Sequence, residues 1–279
     1  MKLSLLAAEI SNLYKKNPKV EAVLLGGSVS RNWHDEFSDI ELSVLWKEDP
    51  IDEERKEPIP LLKGTIIEFH PYEEEEWSES YTTQGVKIEI SNFLTQTVKN
   101  TIYDVVKMFD TNLEKQCLVA SIHDGIPLYG KDVVNNLKKT VKVYPKELSE
   151  AMIKENIDLG TRWHNREALL AREDWLMLYD VMVSAQVKVM GLLFGINRLY
   201  VHHPSFKWQT YSLKQMKHVP YNISNRLSSI LLNHPKKGLP ELEYLIQEVF
   251  YLIQVEYPHL DLSNIIWKTN FLRPKNNLS

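Results

Sequence analysis

The sequence predicts two domains of different class: an α/β domain with a mixed sheet flanked by helices, followed by an all-α helical bundle. Three observations predict this. Apolar runs of strand length, in "VEAVLLGG", "SDIELSVLW", "GTIIEFHPY" and "GVKIEISNF", are confined to the first third of the chain. Long stretches with apolar residues at helical spacing fill the second half. Between them "DGIPLYG" reads as a turn-rich end to the first unit. Mixed elements followed by helices alone imply separate domains with a boundary near 130–145, and the expected division is 1–135 and 136–279.

The elements follow in order. Residues 3–16 carry Leu3, Leu6, Ile10 and Leu13 at helical spacing and read as an amphipathic helix, with "KNPKV" as its break. "VEAVLLGG" is a nearly continuous apolar run stopped by glycines, as a buried strand would be. In "SDIELSVLW" alternation puts Asp39, Glu41 and Ser43 on one face and Ile40, Leu42 and Val44 on the other. "EDPIDEERKEPIP" is charged and proline-rich and reads as a surface loop. The next two strands are separated by the acidic segment "EEEEWSESYTTQ", whose "EEEE" at 73–76 reads as a solvated loop. In the second half "PKELSEAMIKENIDLGTRWHNREALLA", "EDWLMLYDVMVSAQVKVMGLLFGINRLY" and "PELEYLIQEVFYLIQVEY" read as long helices, with Pro145 and Pro240 in first turns.

Composition narrows the function. The 279 residues are 43% hydrophobic and 25% charged, with a net charge of −4, so no nucleic-acid partner is expected. Cys117 is the only cysteine, which excludes a disulfide framework and a cysteine-built zinc site. The opening "MKLSLLAAEISNLYKK" contains Glu9 and keeps helical spacing, so it is expected to be a helix of the mature protein. No stretch is expected to cross a membrane, and a cytoplasmic location is the default.

Candidate chemistry lies in "LLGGSVSRNWHDEFSDIELSVLW". Gly26, Gly27 and Ser28 form a strand-to-helix turn whose N–H groups suit an anion. Asp39 and Glu41, at i and i+2, share a face and repel each other unless a cation or a proton intervenes. Hard divalent ions take one or two carboxylates plus substrate phosphates. A phosphate cradle beside such a pair is the equipment of phosphoryl or nucleotidyl transfer. Glu89, in "VKIEIS", is a third strand carboxylate, available as ligand or base.

"GGS", followed by D-x-E on a strand, resembles the signature of the DNA polymerase β-like nucleotidyltransferase superfamily. Within it, "SDIEL", "VKIEISNF" and "DLGTRWHN" are most similar to segments of the aminoglycoside-modifying kanamycin nucleotidyltransferases. The resemblance implies that Gly26, Gly27, Ser28 and Arg31 contact the nucleotide. It implies that Asp39 and Glu41, with Glu89, hold Mg²⁺ or Mn²⁺. Arg162 stands where the family has a lysine beside the phosphates, and Asp158 where it has the glutamate proposed as general base. Lys154 replaces an acidic residue expected at the acceptor, so the acceptor class stays open.

The expected activity is Mg²⁺-dependent transfer of a nucleoside monophosphate, AMP foremost, from a nucleoside triphosphate to a hydroxyl of a small molecule, with an aminoglycoside-type antibiotic as the candidate. Asp158 and Glu89 are both candidates for the base. The resemblance also implies a homodimer built through the helical domain. The alternatives are a non-catalytic nucleotide-binding regulator on the same scaffold and nucleotidylation of a protein hydroxyl.

Overall fold

The computed structural model describes residues 2–276. It divides into two compact units, between Val143 and Tyr144.

The first unit opens with α1 (Lys2–Tyr14), β1 (Val20–Leu25), the one-turn α2 (Gly27–Ser30) and β2 (Ile40–Trp46). Then come α3 (Asp52–Lys56), α4 (Pro58–Leu61), β3 (Thr65–Phe69), β4 (Trp77–Thr83) and β5 (Val86–Leu94). It closes with α5 (Thr95–Lys107), α6 (Leu113–Asp124), β6 (Ile126–Tyr129) and α7 (Lys131–Val141). The six strands form one mixed sheet in the order β3-β4-β5-β2-β1-β6. Only β2 and β5 run parallel; the other neighbours are antiparallel. One face is packed by α1, whose Leu6, Ala7, Ile10 and Tyr14 join Ile40, Leu42, Val44, Ile88 and Ile90 in the core. This leaves the opposite face of β2 to Glu41 and Ser43, as alternation requires.

Within this unit three sequence expectations are corrected. The supposed acidic spacer contains β4, whose Glu79 is 2% exposed. The supposed loop at 48–60 holds α3 and most of α4, because Arg55 is fully buried as the partner of Glu79. Arg55 Nη2 donates to Glu79 Oε2 at 2.7 Å and to the carbonyls of His70 and Ser78 at 2.9 Å, and its guanidinium lies 4.0 Å from the Phe69 ring. "DGIPLYG" contains the edge strand β6, where Pro127 is tolerated because an edge needs no donor on its outer side. The two units divide after Val143, within the 130–145 window, because α7 packs on β1, β6 and α6.

The second unit is helical among the described residues: α8 (Lys146–Asn156), a 3₁₀ turn (Thr161–Asn165), α9 (Arg166–Arg172), α10 (Trp175–Asn197), α11 (Gln209–Gln215), α12 (Ile223–Leu232), α13 (Pro235–Glu256) and α14 (Ser263–Asn270). The single helix expected across 145–171 is broken at Asp158–Gly160, where Gly160 adopts φ +76°. Pro145 is the N-cap of α8 rather than a first-turn residue. Pro235 opens α13, so Pro240 lies inside that helix. The 23-residue α10 corrects the expectation about apolar stretches: by length and composition it could cross a membrane, with mean hydropathy 1.5 in its best window. Of that window, 56% is buried inside the protein, and α10 packs against α8 and α13.

Candidate functional site

The end of β1 and the start of β2 build the site together. The Gly26 N–H donates to the Glu41 carbonyl at 2.9 Å, which ties the glycine turn to β2. Gly27 then opens α2 at φ +60°, a left-handed conformation that favours glycine. A Cβ on Gly27 would overlap the Glu41 carboxylate. The missing side chain therefore lets a metal-type ligand lie directly on the turn. A Cβ on Gly26 would meet Ser121 Oγ of α6 at 2.7 Å. Ser28 is buried, and its carbonyl accepts the Trp33 N–H at 2.9 Å, closing the turn after α2.

The parallel pairing of β2 with β5 sets Glu41 opposite Glu89. Across β4 and β3 the same register continues through Ser80 to Glu68. Cross-strand partners share a face, so this row carries three carboxylates on the side away from the α1 core. Asp39 immediately precedes β2. Lys87, two residues before Glu89 on the same face, forms an ion pair with it. Its hydrogen bond to Glu89 holds the Lys87 ammonium above the usual lysine range, with Asp39 and Glu68 adding to the effect. Lys87 thus supplies part of the counter-charge that Asp39, Glu89 and Glu68 require. Ser80 Oγ, beside Glu89 in the row, is buried with no hydrogen-bond partner among the described residues.

Arg31 Nε donates to Asp124 Oδ2 of α6 at 2.8 Å, and its guanidinium lies 5.5 Å from the Trp33 ring. Burial pushes the Cys117 thiol up to about 11, with Glu41 and Glu114 adding to the rise and Arg31 opposing it. Cys117 therefore reads as an inert side chain packed beside the site rather than a nucleophile. Among the described residues, no three His, Cys, Asp or Glu side chains group as a ready metal cage.

The remaining expected residues belong to the second unit. Asp158 is not on a helix with Arg162: its Oδ1 accepts the Gly160 N–H at 2.8 Å and shapes the break after α8. Asp158 also lines a cavity of about 330 Å³ with His164, Trp267, Lys268 and Phe271. Arg162 sits in the 3₁₀ turn and pairs with Asp180 at 3.3 Å, both exposed. Sequence reasoning missed Lys87, Ser80, Ser121 and Asp124. Lys87 was open to it, being two positions before Glu89 on a recognised strand. The other three come to the site only through strand register or the packing of α6.

Residues 111–209 match a family described as a domain of unknown function, DUF4037. That stretch opens at α6 and runs into the second unit. No curated protein matches the chain. Among solved structures, the chain is similar to a nucleotidyltransferase-like protein from Exiguobacterium sibiricum 255-15, at 15% identity and a TM-score of 0.40, covering 91% of this chain and 79% of that one. It is also similar to the Cid1 poly(U) polymerase, at 15% identity and a TM-score of 0.28, covering 43% of this chain and 39% of that one.

Proposed function

We propose that the protein is a nucleotidyltransferase that moves a nucleoside monophosphate, AMP foremost, from a nucleoside triphosphate to a hydroxyl of a small acceptor. The observation that carries this reading is Glu41. Its carbonyl holds the Gly26 N–H, its carboxylate lies on Gly27, and its strand position is paired with Glu89. Asp39 and Glu41 would hold Mg²⁺ or Mn²⁺, which supplies charge stabilisation at the phosphoryl oxygens when bound.

The other roles belong to the chain. The first N–H groups of α2 have no intrahelical acceptor and are offered to the phosphates. Arg31, held by Asp124, adds positive charge next to the turn. The acceptor oxygen bonds to the α-phosphorus as the bond to the bridging oxygen breaks, and pyrophosphate leaves. Within the first unit Glu89 would take the acceptor proton, a role supported by its position on the strand beside Glu41. The acidic row Glu41, Glu89 and Glu68 suits a cationic acceptor of the aminoglycoside type. We also assign the protein to the cytoplasm and give the helical unit a homodimer contact.

The test is incubation with each nucleoside triphosphate, Mg²⁺ and a panel of aminoglycosides and other polyols, read by mass spectrometry. A nucleoside monophosphate on a small acceptor is the expected result. Label on protein instead would move the acceptor to a protein hydroxyl. Tight nucleotide binding without transfer to any acceptor would leave a binding protein and overturn the enzyme reading.

A further inference from the structure

The first unit carries a second concentration of positive charge that the proposed activity does not use. An open groove of about 640 Å³ runs along α7, lined by Lys138, Lys139, Lys142, Asn135 and Asp132 among others, with His123 from the last turn of α6. Its lining residues are all of polar or charged type, with three lysines against one aspartate. That excess is notable in a chain whose net charge is −4. The walls are ordered by named bonds. Lys138 Nζ donates to the His123 carbonyl at 3.0 Å, and Lys139 Nζ to Asn136 Oδ1 at 3.3 Å. His123 Nδ1 lies 2.6 Å from Asp124 Oδ1, and Asp124 Oδ2 accepts from Arg31. One carboxylate thus joins the groove wall to the residue that follows α2.

We propose that the α7 groove is a binding site for a small, free polyphosphate anion, separate from the Gly27 turn. Each feature fits that ligand. Volumes of roughly 300–1,000 Å³ are those of small-molecule sites. Ammonium groups bind phosphate as point charges, and Asn side chains add donors to its oxygens. Burial lowers the Lys138 ammonium below the usual lysine range, and an anion beside it offsets that desolvation. A short ligand is favoured over a nucleic-acid strand because α7 has only 11 residues, about 16 Å of helix.

The test uses the full chain with inorganic tripolyphosphate as probe and a chelator present, so that no metal-dependent site contributes. Calorimetry at low ionic strength is expected to show one site whose affinity falls at least about tenfold in Lys138→Gln/Lys142→Gln and falls again as salt is raised. Gly27→Val, which alters the proposed nucleotide turn, is expected to leave this affinity unchanged. The two sites are thereby told apart even if nucleotidyl transfer is absent. Circular dichroism and melting of the lysine double variant check that it folds, since Lys142 is exposed and Lys138 only partly buried. Absence of binding, or binding indifferent to the two lysines, overturns the proposal. A 12-nucleotide single-stranded RNA that binds more tightly than tripolyphosphate, with the same dependence on the lysines, would assign the groove to nucleic acid and equally overturn it.

Discussion

Gly27 and Glu41 occupy the same few ångströms, and each explains the other. The turn takes φ +60° and a Cβ there would fall on the Glu41 carboxylate, so Gly27→Val both strains the backbone and displaces the second carboxylate. We expect this variant to lose nucleoside triphosphate binding in calorimetry, at a stability cost of about 1–3 kcal/mol. Retained affinity would separate the turn from the phosphates. Lys87 gives a prediction of opposite sign. It is the resident cation among Asp39, Glu89 and Glu68, so Lys87→Gln removes a competitor and should tighten Mg²⁺ or Mn²⁺ binding severalfold in the nucleotide-free protein. Weaker metal binding in that variant would mean that Lys87 does not share the ion's site. At this scale the glycines and D-x-E were legible because strand alternation alone puts Asp39 and Glu41 on one face. Ser121 and Asp124 were not, because nothing local to α6 says that it packs against the turn after β1.

β4 was hidden by its own charges. The stretch from Glu73 to Gln84 reads as an acidic separator between strands, yet Glu79 is buried on the core face with Arg55, Asn92 and Tyr14 as partners. Burial pushes the Glu79 carboxyl up, while Arg55, Asn92 and Tyr14 pull against that rise. Such a pair is a tertiary fact: Arg55 and Glu79 lie on different elements, and neither neighbourhood in sequence names the other. Glu79→Leu should destabilise the first unit by about 3–5 kcal/mol by leaving the Arg55 guanidinium buried and uncompensated. Arg55→Met combined with Glu79→Leu should recover much of that loss, as thermal unfolding would show; equal melting temperatures for the single and double variants would contradict the pairing. Glu76, at the turn into β4, is half-buried, and burial, then Glu74, Glu114 and Glu79, push its carboxyl up to about 7. An acid raised in the folded state favours folding while protonated, and that contribution is lost as pH rises from about 4.5 through about 7. Glu76→Gln should therefore melt higher than the parent at pH 8 and close to it at pH 5. An identical difference at both values would show that Glu76 does not titrate in that range.

The two-unit plan was legible from the change of periodicity, because strand-length runs stop after β5 and helical spacing takes over. The place of the division was legible only to within 130–145, because α7 looks like any helix of the second half, and only its packing on β1 and β6 assigns it to the first unit. The two candidate bases separate along the same division. Glu89 belongs to the sheet beside Glu41, whereas Asp158 closes a turn through the Gly160 N–H. Glu89→Gln should lower kcat by about 10²–10⁴-fold, the usual range for a lost general base. Asp158→Asn keeps an acceptor for Gly160 and should cost less than about tenfold; the reverse pairing in steady-state kinetics would transfer the role to Asp158. The central claim is that Glu41 and the Gly27 turn form one metal-dependent triphosphate site. Its most direct test is calorimetric titration of ATP into the parent with Mg²⁺, the parent with a chelator, and Glu41→Gln with Mg²⁺. The account predicts saturable binding in the first case and affinity weaker by at least about tenfold, or 1.4 kcal/mol, in the other two. Equal affinity in all three would contradict it.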